Sequence, residues 1–256
     1  MTRQPALPAV LVTGAAHRLG AAIARAFGQA GWHVVLHYHR SEHAAQALAA
    51  ELPSAETLAC DLADSAAAEA MVSDLAQRLR DWRVLVNNAS TFTEDTTQAP
   101  DPQVFAHAMT VNAASPARMA RAFLAHARST AGRRVIQLTD QKLANPNPDF
   151  YSYSISKHAV DAAMQMLAMT CSGTDRVLRL APGAILPSHD QTPAEAEVSH
   201  RMNLLNRRTG ADEVAQGALF LATAPLASGQ VLFVDSGQHL LAQPRDVLYL
   251  AREETA

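Results

Sequence analysis

Short apolar runs alternate along the chain with longer segments in which apolar residues recur at helical spacing. The runs fall at 10–12, 33–38 (HVVLHY), 57–60, 84–86, 135–138, 177–180 and 231–234, each reading as a strand. Leu19, Ile23, Ala26 and Phe27 lie on one face of a first helix, and helical patterns follow at 42–52, 66–79, 104–128, 151–171 and 212–222, the last with Asp212 near its N-cap. Strand and helix in strict alternation force parallel pairing, right-handed crossovers and helices on both sheet faces. The predicted fold class is therefore α/β, a doubly wound parallel sheet, in one domain over residues 1–256. Pro116 must start a new helix or kink the old one within 104–128. The polar loop 91–102 carries a lone Phe92, and Pro182-Gly183 stops the sixth strand. Segment 184–205 is the least regular and reads as a lid over the site, and a tail follows the last strand to Ala256.

The first strand, turn and helix, VLVTGAAHRLGAAIARAFGQA, organise the rest. A strand-to-helix turn leaves unpaired backbone N–H groups where the peptide dipoles also favour negative charge, so it suits a pyrophosphate. Gly14 permits the turn and Gly20 lets helix and strand approach closely. Arg18 stands where a middle glycine usually sits, and its guanidinium is suited to a phosphate or a substrate oxygen. About twenty residues past the turn, the end of the second strand meets the adenine ribose. No acid stands there to accept from a free 2′-hydroxyl. His39, Arg40 and Ser41 instead offer a guanidinium and a hydroxyl to a 2′-phosphate, which predicts NADP(H). Asp61, at the next strand end, suits the adenine amino group or a helix cap. His37 and His39 alternate onto one strand face without a third ligand nearby, so no metal is expected.

Composition narrows the partners. The 256 residues carry a net charge of −3, with no basic or acidic block, so neither nucleic acid nor an anionic membrane is expected as partner. Cys60 and Cys171 show no CxxC or zinc-like spacing and read as free thiols of a reducing compartment. With no leader-like N-terminus and no apolar run of membrane length, the expected location is the cytoplasm.

Tyr153 and Lys157 stand four residues apart on a helix and share a face, where the ammonium is expected to lower the phenol pKa and make it a usable proton donor. The TGxxxxxG turn, Asn87-Asn88-Ala89, Asn112, the YxxxK pair and Pro182-Gly183 together resemble the short-chain dehydrogenase/reductase family over nearly the whole chain. That resemblance implies a Rossmann-type seven-stranded sheet of order 3-2-1-4-5-6-7 and hydride transfer from a nicotinamide. It also implies Tyr153 as acid, Lys157 on the nicotinamide ribose and Asn112 ordering a water relay. The dinucleotide would then run along Gly14, His17, Arg18, Leu19 and Gly20, with Asp61 and Leu62 at the adenine. Asn88, Ala89, Ser90, Pro182 and Gly183 would border its nicotinamide half. Family members are often homotetramers packed through the long helices, here 104–128 and 151–171.

Asp140 stands thirteen residues before the tyrosine, where most of the family has a serine that polarises a carbonyl. A carboxylate activates a carbonyl poorly. It suits a nitrogen-containing substrate, from whose N–H groups it can accept, or to whose C=N bond it can deliver a proton if its pKa is raised enough to hold one. With TGAAHRLG, LHYHRS and NNASTF, the aspartate makes the chain similar to the pteridine and dihydromonapterin reductases. The resemblance implies a pterin, or a folate, stacked between nicotinamide and Phe92, with Arg18, Ser90, Asp140 and Tyr153 contacting it. A carbonyl reductase such as a 3-oxoacyl-thioester reductase, and an NADPH-binding sensor without turnover, are the competing expectations. The Arg179 region, where the family usually carries an asparagine, has no account in the sequence. The tail is expected to pack on the sheet edge, the alternative being a reach into a neighbouring subunit's site with Arg245 as the candidate contact.

Overall fold

The computed structural model describes residues 7–188 and 190–255. Residues 1–6, on which the reading of the N-terminus rests, lie outside the described residues. Seven parallel strands form one sheet in the order β3-β2-β1-β4-β5-β6-β7. They are β1 (Ala9–Val12), β2 (His33–Tyr38), β3 (Ala55–Ala59), β4 (Trp82–Asn87), β5 (Arg134–Leu138), β6 (Arg176–Pro182) and β7 (Val231–Val234). In the centre, Val10 is in register with Val34 on one side and Val84 on the other, and all three are fully buried. Such strands need apolar residues at every position because both faces are covered.

Helices α1 (Arg18–Gln29) and α8 (Ala211–Thr223) cover one face, with Ile23, Phe27, Val214 and Leu221 in the core. Helices α3 (Ser65–Arg78), α5 (Ser115–His126) and α6 (Tyr151–Ala168) cover the other with Leu75, Phe123 and Met164, while α2 (Glu42–Glu51) joins β2 to β3. The expected fold class and strand order hold. The boundaries move where backbone chemistry outweighs periodicity. The pattern at 104–128 is not one helix but α4 (Pro102–Ala108), a π-helical turn (Met109–Ala114) and α5. The wide turn lies directly before Pro116, whose ring and missing N–H a regular turn could not accommodate. Helix α8 is capped not by Asp212 but at Gly210, whose N–H donates to the Glu213 carboxylate at 2.8 Å.

Two further helices escaped the periodicity. Inside the lid, α7 (Pro193–Ser199) starts at a capping box in which Thr192 and Glu195 exchange hydrogen bonds and Pro193 fills the first turn. The tail forms α9 (Val247–Thr255), which packs on α7 rather than on the sheet edge. No helix among the described residues is long and apolar enough to cross a membrane, and both cysteines are free.

Candidate active site

Because the strands are parallel, the loops after β1, β4, β5 and β6 converge on one edge of the sheet, where ligands of such sheets bind. The turn after β1 is built for close approach. Gly14 has φ +62°, and a Cβ on Gly20 would lie 2.1 Å from the Gly14 carbonyl oxygen. Thr13 Oγ1 accepts from the backbone N–H groups of Asn88 (2.9 Å) and Ala89 (3.0 Å), and Asn88 Nδ2 donates to the Thr13 carbonyl at 2.8 Å. Thr13 and Asn88 thus lock the turn to the end of β4. Arg18 has φ +54°, the left-handed region that the missing glycine would have occupied without strain. Its guanidinium reaches the lid, donating to the carbonyls of Pro187 (2.9 Å) and Leu186 (3.4 Å).

His37, which sequence reasoning weighed only as a metal ligand, holds the turn from below. Its Nδ1 accepts from the Gly14 N–H at 3.1 Å and its Nε2 lies 3.0 Å from the Cys60 carbonyl, an arrangement that requires a neutral ring protonated on Nε2. Burial pushes its pKa down to about 4. His39 points outward, 3.6 Å from Asp61, so the two histidines do not share a ligand position. No metal-ligating cluster occurs among the described residues. His17, His39, Arg40, Ser41, Asp61 and Leu62 border one cavity of about 460 Å³, with Ala89 and Ser90 at its inner end.

A second cavity of about 460 Å³ shares Gly14, His17, Ala89 and Ser90 with the first and continues past Leu19 and Gly20 to Phe92, Asp140, Tyr153 and Gly183. A Cβ on Gly183 would stand 2.7 Å from Asp235 Cβ and 3.1 Å from its Cα, so a side chain there would force the Asp235 backbone to shift. Tyr153 donates its phenolic hydrogen to Asp140 Oδ2 at 2.7 Å, and Asp140 Oδ1 accepts from the Lys142 backbone N–H at 2.8 Å. Lys157 lies behind, its Nζ donating to the Leu138 carbonyl at 3.1 Å, 5.5 Å from the centre of the tyrosine ring.

The electrostatics correct one expectation. The Tyr153 pKa is raised well above its ordinary value, by burial first and the Asp140 charge second, rather than lowered by Lys157. Burial brings the Lys157 ammonium down to about 8. The phenol therefore holds its proton firmly until something takes it. Asn112, in the π turn, has its side chain fully committed: it accepts from the Thr91 N–H (2.8 Å) and donates to the Thr91 carbonyl (2.9 Å) and Ser156 Oγ (3.0 Å). It pins the 91–97 loop to α6.

Phe92 is 40 % exposed at the cavity wall. Its ring stacks on Phe150 at 4.1 Å and meets the Tyr153 ring edge-on at 4.7 Å, while Phe150 stacks in turn on Tyr249. Sequence reasoning missed Phe150, which stands outside any helical pattern at φ +51° just before α6. It also missed that the chain's own C-terminal segment lines this cavity through Asp246, Val247 and Leu248. Arg245 pairs with buried Asp149 of the same chain at 2.8 Å, and its side chain stays 40 % exposed. Arg179 likewise gains an account, pairing with Asp161 of α6 at 2.7 Å and donating to the Gly229 carbonyl.

Comparison with known proteins supports the fold and its family. Residues 14–239 match a family described as enoyl-(acyl carrier protein) reductase. The chain is 28% identical to pteridine reductase 1 of Leishmania tarentolae, covering 94% of this chain and 99% of that one. It is 29% identical to ketoacyl reductase 2 of the granaticin polyketide synthase of Streptomyces violaceoruber, with the same coverage. Among solved structures, FolM alternative dihydrofolate reductase 1 from Brucella canis, complexed with NADP, superposes with a TM-score of 0.85 at 30% identity, over 93% of this chain and 96% of that one. The fold agrees with these matches, and the chain belongs to the short-chain dehydrogenase/reductase family of oxidoreductases.

Proposed function

We propose that the protein is an NADPH-dependent reductase of dihydropterins, acting on a ring C=N bond and extending to dihydrofolate. One observation carries the reading: the residue hydrogen-bonded to the catalytic tyrosine at the cavity wall is a carboxylate, Asp140. A ketone would have to place its oxygen, negative in the transition state, against this anion. A dihydropterin presents ring N–H groups, which Asp140 accepts.

The cofactor would lie across the two joined cavities, its pyrophosphate at the α1 N-terminus beside Gly14 and its 2′-phosphate at Arg40 and Ser41. When bound, it supplies the hydride. Phe92 offers a flat face for the heterocycle, with Ser90 and Arg18 within the same cavity for its polar edge. Tyr153 is the proton source for the ring nitrogen. Delivery leaves negative charge on the Tyr153–Asp140 pair, which the Lys157 ammonium offsets while it stays protonated.

Carbonyl reduction is the second reading, favoured by the granaticin relative at similar identity. Replacing Asp140 by Ser separates the two. Dihydropterin turnover should fall at least a hundredfold, and weak β-ketoester reduction should emerge, if Asp140 selects the nitrogen substrate. Unchanged dihydropterin turnover in Asp140→Ser would contradict the reading.

A further inference from the structure

The C-terminal segment brings a second carboxylate to the site. Along the sheet edge, the order β1, β4, β5 puts the Gly14 turn first and Asp140 with Lys142 last, about 10 Å apart at ordinary strand spacing. Asp246 lies on the far side of that order, as the ion-pair partner of Lys142, and both line the cavity. Neither is free to move. The Lys142 ammonium is buried over the Phe150 ring, 5.1 Å from its centre, and Asp246 is its sole polar partner among the described residues. Asp246 Oδ1 accepts from the Leu248 N–H at 2.9 Å, and Asp149 Oδ2 accepts from the Asp246 N–H at 2.8 Å.

A carboxylate offers about four lone-pair directions, and the Leu248 N–H and Lys142 occupy two of them. The rest remain available to a donor in the cavity. Asp140 already serves the ring nitrogens beside Tyr153, so the group that meets Asp246 is whatever projects from the ring beyond them. Val247 and Leu248, adjacent on the wall, suit a short alkyl chain. A thioester arm presents acceptors to this anion and is repelled.

We propose that Asp246 is a specificity-determining residue: its carboxylate, fixed by Lys142, accepts a hydrogen bond from a hydroxyl on the side chain of the reduced heterocycle. The inference rests on the pterin reading above and adds the side-chain class, a hydroxylated alkyl group. It is tested by comparing 7,8-dihydromonapterin with 6-methyl-7,8-dihydropterin, which lacks the hydroxyls, in the wild type and in the double variant Lys142→Met, Asp246→Asn. The double variant removes both charges together, and Asn keeps an acceptor for the Leu248 N–H.

The expected result is a fall of about tenfold or more in the ratio of kcat/KM for the hydroxylated over the methyl substrate, with NADPH affinity within about twofold of wild type. An equal fall for both substrates would reduce the pair to a structural clasp, and no change in either would remove it from recognition; both outcomes overturn the proposal. Wild-type protein that reduces neither dihydropterin overturns the pterin reading and this inference with it. Should the double variant not fold, Asp246→Glu carries the test. It keeps the ion pair but displaces the carboxylate by one methylene, so the substrate ratio should shift about threefold or more towards the methyl compound; an unaltered ratio overturns the proposal.

Discussion

Asp140 and Tyr153 hold one proton between two oxygens 2.7 Å apart, and most of the chemistry follows from where that proton can go. Tyr153→Phe removes it and should lower dihydropterin turnover by at least about a hundredfold while NADPH still binds, measured by single-turnover kinetics and fluorescence titration. The Lys157 pKa of about 8 predicts an alkaline limb: kcat/KM should decline as pH rises through about 8, where the ammonium that offsets the pair is lost. His37 makes a prediction of the opposite sense. Its folded pKa of about 4 lies below its ordinary 6.5, so between those values the unfolded chain binds the extra proton and stability rises with pH. Acidification from 6.5 to 5 should therefore cost roughly 1.5 kcal/mol in urea unfolding, and His37→Gln should remove that slope. A slope that survives the substitution would place the titration elsewhere.

At the scale of elements, what periodicity could report was legible and what side-chain pairing decides was not. The strand-turn-helix at 9–29 was readable because Gly14, Gly20 and the apolar stripe of α1 sit at fixed offsets. Gly20→Ala should accordingly abolish NADPH binding and lower Tm, since the added methyl would collide with backbone that cannot retreat. The tyrosine and its aspartate were equally legible, thirteen residues apart in sequence and hydrogen-bonded in space. Helix α7 has only seven residues, too few for a period, and its sole sequence signal was the Thr192-Pro193-Ala194-Glu195 start. The contribution of α9 could not be read locally at all. The C-terminal segment from Arg245 onwards is held by long-range pairs, Asp246 with Lys142, Arg245 with Asp149 and Tyr249 of α9 with Glu94, which no window of sequence displays.

For the whole molecule, α6 and its C-cap carry an exposed apolar stripe. Ile155, Met166 and Met169 lie on one side of α6 at helical spacing, with Met169 85 % exposed. Such a stripe fits the expected homotetramer packed through the long helices, and sedimentation should give four times the 27.4-kDa chain mass. Met166→Lys with Met169→Lys should shift that mass downwards. The lid, the aromatic wall and the C-terminal segment of the same chain all border the cavity. The central claim is that this cavity reduces a C=N bond rather than a ketone. NADPH oxidation by the purified protein, followed with 7,8-dihydromonapterin, 7,8-dihydrobiopterin, dihydrofolate and a β-ketoester in parallel, tests it most directly. Rapid turnover of a dihydropterin, dependent on NADPH over NADH and lost in Asp140→Ala, is the expected result; turnover of the ketoester alone would overturn C=N reduction.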